Sequence, residues 1–306
     1  LAVPFLDLLA RTSTVVGVLT SPDQPVGRKL RVQPTPVKAR AVESGLKVLQ
    51  PERPAAAVAE LSELRPDLAV AVAYGKLIPP ELLAVPALGS LNVHFSLLPK
   101  YRGAAPVQWS LVRGESRTGV TVFWLAEGLD TGPVFLQRGL DIGPDEDAEG
   151  LSARLVALGL EALEQTFHEI GAGNIRREPQ TGEPSPAPRL RKEDGRISLA
   201  RGARDLHNLV RGLRQWPTAF LELAPPARHV RVLKTALPDP PDSAASGGPA
   251  PGTIVRVERG GGILVQCSGC SSLWLLTVQP EGRKPVAAAD FLNGLRLGVG
   301  DLLSWA

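Results

Sequence analysis

The chain has no methionine among its 306 residues, only two cysteines, few aromatic side chains (5%) and a formal net charge of just +3. Two cysteines are too few for a disulfide framework, and a reducing, cytoplasmic setting is the expected compartment. They lie in Cys267-Ser268-Gly269-Cys270, with no second ligand pair, so the motif is read as a hairpin turn and no metal is expected. No apolar run approaches the roughly 20 residues of a membrane span, so no membrane partner is expected. The opening Leu1-Ala2-Val3-Pro4-Phe5-Leu6-Asp7 has no basic lead-in and carries an acid, which argues against a signal peptide. Phosphate-cradling glycine loops of the dinucleotide or P-loop type are also absent.

What is present is ordinary for a soluble globular protein: 43% hydrophobic and 21% charged residues. The 31 glycines and 29 prolines imply long loops or linkers, and the length suits two domains. Charge is unevenly placed, with 13 Lys and Arg against 8 Asp and Glu in residues 196–306 and a slight acidic excess before them. A basic rear portion suits a polyanionic partner, and it equally suits a surface charged for solubility.

Short apolar, β-branched runs at Thr14–Thr20, Lys47–Leu49 and Asp67–Ala73 read as buried strands, with helices at about Val37–Ser44 and Ala55–Leu64 between them. That alternation predicts a βαβ sheet, to which Thr118–Leu125 and Val134–Gln137 add strands. Glu146–Ile170 is the clearest helix, with an acidic first turn and an apolar stripe from Leu151 to Ile170. Arg176–Asp194 has four prolines and no periodicity, so it is read as a linker. A helix is expected over Ala200–Gln215, burying Leu206, Leu209, Val210 and Leu213 and turning Arg204, His207, Arg211 and Arg214 outward as a basic stripe. Five short alternating strands between Ala219 and Val278 predict a small β-barrel, interrupted by the low-complexity loop 237–252.

The chain is organised around Leu91-Asn92-Val93-His94-Phe95-Ser96-Leu97-Leu98-Pro99-Lys100-Tyr101-Arg102-Gly103. Asn92 and His94, two apart on a strand, share one face, where burial is costly unless something pairs with them. A strand ending in polar residues, then a tight loop and a helix, is where open α/β sheets place their chemistry. Taken singly, His94 also reads as a satisfied core histidine, Asn92 as a strand-end amide and Asp130 as a turn former.

Asn92-x-His94-x-Ser96-Leu97-Leu98-Pro99, then Tyr101-Arg102-Gly103-Ala104-Ala105-Pro106 and Gly128-Leu129-Asp130-Thr131-Gly132, resemble the 10-formyltetrahydrofolate-dependent formyltransferases. The resemblance implies a Rossmann-like, mostly parallel sheet in a formyltransferase domain over 1–175, a linker over 176–195 and a small OB-like β-barrel over 196–306. It implies that 10-formyltetrahydrofolate is the formyl donor, with Asn92, His94 and Asp130 as the catalytic trio. Ser96, Leu97, Leu98 and Pro99, with Tyr74 and Gly75 across from them, would line the folate pocket. Formyl transfer to an amine needs a proton acceptor, an oxyanion donor and a proton for the leaving nitrogen. An imidazole, a fixed amide and a carboxylate can supply these, the amide donor alone being worth roughly 3 kcal/mol.

The loop Gly27-Arg28-Lys29-Leu30-Arg31 resembles the family's basic loop that enters the tRNA acceptor end, with Arg28 at its key position. Trp216-Pro217, Gln279–Pro285 and Ala289-Asp290-Phe291 resemble the C-terminal signatures of the branch that formylates methionine on initiator tRNA. Arg28, Lys29, Arg31, Arg204, Arg211 and Arg214 are the expected tRNA contacts, and a monomer is expected. Family members open with one more strand before the match to Ala2-Val3-Pro4, so residues upstream of Leu1 are expected. A formyltransferase acting on a sugar-nucleotide or other small amine, and a catalytically inactive tRNA-binding protein, stay open as alternatives.

Overall fold

Proline in the first turn and apolar side chains at Phe5, Leu6 and Leu8 make Val3–Thr12 an amphipathic helix, α1, which buries those three residues. The sequence alone predicts no element there. The structure, a computed structural model, describes residues 1–26, 31–223, 228–239 and 248–303. β1 (Val18–Leu19) follows and is shorter than the expected strand. β2 (Gln24–Val26) and β3 (Arg31–Gln33), on either side of the expected basic loop in sequence, pair antiparallel. Arg28 and Lys29 lie outside the described residues, and Arg31 is exposed. α2 (Pro36–Glu43) is capped by Thr35, whose hydroxyl accepts from the Lys38 N–H at 3.1 Å. β4 (Val48–Leu49) then runs parallel to β1, and Leu6, Val18 and Ala41 form the core beneath.

After α3 (Val58–Leu64), β5 (Ala69–Ala71) and α4 (Pro80–Leu83) comes β6 (Ser90–His94), the strand carrying Asn92 and His94. α5 (Pro106–Val112), β7 (Arg117–Trp124), β8 (Val134–Asp141) and α6 (Ala148–Gly171) complete the front half. The sheet order is β5-β6-β7-β8, parallel between β5 and β6 and antiparallel beyond. Thr118–Trp124 of β7 are all buried, the mark of a strand covered on both faces. Chain paths come close at two glycines. A Cβ on Gly119 would sit 2.1 Å from the Arg138 carbonyl, and one on Gly159 of α6 would sit 2.9 Å from Phe5. Phe5 also meets Phe95 edge to face at 6.2 Å, so α1 and α6 pack against the region that carries His94.

The rear half is a helix and a curled antiparallel sheet, in line with the barrel expected from sequence. α7 (Ala203–Gly212) packs on β10 (Arg228–Ala236), which follows β9 (Phe220–Leu223). β11 (Ile254–Val257), β12 (Ile263–Gln266) and β13 (Ser272–Pro280) complete an order of β11-β12-β13-β10-β9, with β14 (Val286–Ala287) on β13 and α8 (Ala288–Leu295) after it. Register shifts between Val232 and Thr235 bend β10, as bulges do. Cys267 and Cys270 form no disulfide with each other and lie in the turn joining β12 to β13.

By packing, the chain forms two units. One comprises Leu1–Pro106, Arg117–Asp141 and Ser152–Pro188; the other comprises Val107–Ser116, Ile142–Leu151 and Arg189–Ala306. In the second unit, α5 and α7 meet at Gly212, where a Cβ would lie 2.8 Å from Val112 and 3.2 Å from Leu111.

The outward basic stripe on α7 does not exist as such, because His207 (3% exposed) and Arg211 (8%) are buried. Residues 143–147 cover that face. The Arg211 guanidinium donates to the carbonyls of Gly143 (3.0 Å) and Glu146 (3.1 Å) and to Asn208 Oδ1 (2.9 Å). Arg214 pairs with Asp147 at 2.8 Å, while Arg204 is exposed. Helical periodicity finds the face a helix buries first, and says nothing of a second segment laid over the other side.

Candidate active site

β6 places Asn92 and His94 on one face, and the β6–β7 register sets Thr121 opposite His94. His94 is 5% exposed and Asp130 8%. The imidazole Nε2 lies 2.8 Å from the Tyr101 carbonyl, and Nδ1 lies 3.7 Å from Asp130 Oδ2. A carbonyl only accepts, so Nε2 carries the hydrogen and the Nδ1 lone pair faces the carboxylate. Burial pushes the His94 pKa below its ordinary value, while the Asp130 charge and the Tyr101 carbonyl pull it back up. A neutral imidazole with its free nitrogen beside a carboxylate is the result.

Asp130 is held by the Gly103 N–H, which donates to its Oδ2 at 2.7 Å. Tyr101 and Asp130 both take left-handed backbone conformations, with φ of 63° and 51°. Each costs a non-glycine residue on the order of 1–3 kcal/mol and needs surrounding bonds to hold it. Asn92 is half-buried, and its amide has no side-chain partner among the described residues. It is an uncommitted donor next to the imidazole.

The Ser-Leu-Leu-Pro loop is pinned from β7 and β8. Thr121 Oγ1 donates to the Ser96 carbonyl (2.7 Å) and accepts from the Leu98 N–H (3.1 Å) and from Gln137 Nε2 (3.0 Å). Gln137 Nε2 also donates to the Leu98 carbonyl at 2.7 Å. Ser96, Leu98 and Pro99 are buried, and the Ser96 hydroxyl donates to the Lys100 carbonyl at 2.6 Å. Half-buried Leu97 lies across Gly119, where an added Cβ would come within 2.6 Å of it. Tyr74 is half-buried with its hydroxyl oxygen enclosed and unpartnered, and burial raises its pKa. Gly75 follows at φ 74°.

Sequence reasoning brought together Asn92, His94 and Asp130 but missed what holds His94 and Asp130, the Tyr101 carbonyl and the Gly103 N–H with Gln180 and Ser185 behind them, and what pins the Ser96–Pro99 loop, Thr121 and Gln137. Thr121 carried a signal, being a hydroxyl within the apolar run Val120–Trp124. The segment read as a linker carried none, yet Glu178 pairs with Val134 and Pro186 with Arg102 as isolated bridges.

Residues 7–167 match the family described as formyl transferase, and residues 189–296 match its C-terminal domain. The chain belongs to the formyl transferase family. Among curated formyl transferases, a methionyl-tRNA formyltransferase of Geobacter metallireducens is 42% identical over 296 residues, which is 96% of this chain and 92% of the relative. That of Solibacter usitatus is 44% identical over 300 residues, covering 97% and 93%. Among solved structures, an N-formyltransferase from Helicobacter canadensis, crystallised with folinic acid and dTDP-3-aminofucose, superposes with a TM-score of 0.66. It is 16% identical and covers 90% of this chain and 95% of its own, a likeness of formyl transferase fold.

Proposed function

We propose that this chain moves the formyl group of 10-formyltetrahydrofolate to the α-amino group of methionine carried by initiator tRNA, in the cytosol and as a monomer. The observation that carries the chemistry is the buried His94–Asp130 pair with the uncommitted Asn92 amide on the same strand face. The acceptor is supported by relatives named for methionyl-tRNA that match over nearly the full length of both chains.

The neutral amine attacks the formyl carbon, a C–N bond forms, and the carbonyl oxygen becomes an oxyanion. Asn92 donates to that oxygen, the kind of contact worth most where charge develops. His94 Nδ1 takes the amine proton, and Asp130 stabilises the resulting imidazolium. The proton then passes to the departing folate nitrogen, its bond to the formyl carbon breaks, and tetrahydrofolate leaves. The enclosed, unpartnered Tyr74 hydroxyl fits a ligand rich in hydrogen-bonding edges, as the pterin is. Tyr74 and Gly75, with the loop Ser96, Leu97, Leu98 and Pro99, form the folate walls in this reading. Arg28, Lys29, Arg31, Arg204 and Arg214 meet tRNA phosphates, and buried Arg211 serves the fold.

The test combines a labelled formyl donor, the chain and charged initiator tRNA, with elongator methionyl-tRNA as control. Label should appear on the initiator alone, and transfer should weaken as salt rises. Transfer to a sugar-nucleotide amine with none to tRNA would overturn the proposal.

A further inference from the structure

The stretch between α6 and α7 carries a side chain that is bonded to both of the loops orienting His94 and Asp130. Gln180 Nε2 donates to the carbonyls of Asp130 (2.8 Å) and Gly132 (2.9 Å). Its Oε1 accepts from Arg102 Nε (3.2 Å) and Nη2 (2.7 Å). Arg102 sits between Tyr101, whose carbonyl holds His94, and Gly103, whose N–H holds Asp130. The same strap adds backbone support. Ser185 Oγ accepts from the Tyr101 N–H at 2.9 Å, the Ser185 carbonyl accepts from the Arg102 N–H at 2.8 Å, and the Ala187 N–H donates to the Arg102 carbonyl at 2.6 Å. Gly103 lies so close to this strap that a Cβ there would be 2.4 Å from the Ala187 carbonyl.

We propose that Gln180 is a positioning residue for formyl transfer, fixing the separation of His94 from Asp130 by clamping loop 101–103 to turn 130–132. The inference rests on the proton-handling role given to that pair. Both loops hold a non-glycine residue at positive φ, a conformation that relaxes when its supports are removed. A full set of four bonds to one amide resists that relaxation. Small misplacements of reacting groups are enough to cost on the order of 100-fold in rate. Gln180→Met keeps the length and removes all four bonds. Gln180→Glu keeps the acceptor for Arg102 but sets a second oxygen against two carbonyls.

The experiment uses the full chain with Gln180→Met and Gln180→Glu, after checking that each melts cooperatively. Long-range proton–nitrogen NMR spectra read the His94 ring directly, its signals identified among the four histidines by their loss in His94→Gln. The expected result is a kcat lower on the order of 100-fold, with KM for charged tRNA little changed. His94 should also titrate at a lower pH, because the carboxylate that favours its charged form has moved away. Unchanged kcat, or a fall in kcat with His94 titrating as in the wild type, would overturn the proposal. If neither variant folds, Arg102→Lys removes the other half of the clamp; it should shift the His94 titration the same way, and no shift refutes the idea. Should His94→Gln itself retain transfer, the proton-handling role fails. The His94 titration in the Gln180 variants still decides whether Gln180 sets the geometry.

Discussion

Asp130→Asn isolates one charge. It keeps the side chain's shape and an oxygen for the Gly103 N–H, and removes the negative charge 3.7 Å from His94 Nδ1. The two side chains are only 10% and 6% exposed, so water screens them little. Opposite unit charges at about 4 Å attract by about 4 kcal/mol at an effective dielectric constant of about 20. That attraction exists only once Nδ1 has taken the amine proton, so it belongs to the transition state rather than to the resting enzyme. A loss of about 4 kcal/mol corresponds to a kcat about 1000-fold lower. Single-turnover formylation of charged initiator tRNA at saturating donor reads this directly. A loss smaller than about tenfold, or one confined to KM, would mean that Asp130 does not stabilise a charged His94 and that the proton leaves by another route.

Thr121→Val leaves the Ser96 carbonyl and the Leu98 N–H without partners in a buried loop, and should destabilise the chain by about 3 kcal/mol in urea unfolding. Arg211→Met removes the guanidinium bonds to the Gly143 and Glu146 carbonyls and to Asn208 Oδ1 and should cost about 2 kcal/mol by the same measurement, whereas Arg204→Met should leave the urea midpoint unchanged. Because burial depresses the His94 pKa, the unfolded chain takes up that proton first. Stability should therefore be full above about pH 6.5 and fall as pH drops toward the folded value, with a flatter profile in His94→Gln.

Much of the front half was legible because its signals are local. Apolar β-branched runs marked β6 and β7, and the polar pair Asn92 and His94 stood out against the first of them. The rear sheet announced itself through alternating strands and turn residues. The groups that orient the reacting side chains were illegible for a physical reason. The Tyr101 carbonyl and the Gly103 N–H are backbone atoms, and no residue type advertises their use. Gln180 and Ser185 act from an irregular segment whose contacts have no period to detect. Arg211 looked like surface because its helix position is opposite the apolar stripe, and only the segment 143–147 makes it interior.

Because Val107–Ser116 and Ile142–Leu151 pack with residues that come after position 188, no single cut divides this chain into its two halves. A fragment ending near residue 175 would retain Leu111 and Val112 of α5 while losing Gly212, against which they close. It would carry an oily scar where the intact molecule is sealed. The reverse fragment would lack a helix from its own interior. Trimming the enzyme to a minimal catalytic piece would therefore call for resurfacing α5 as well as choosing a stop codon.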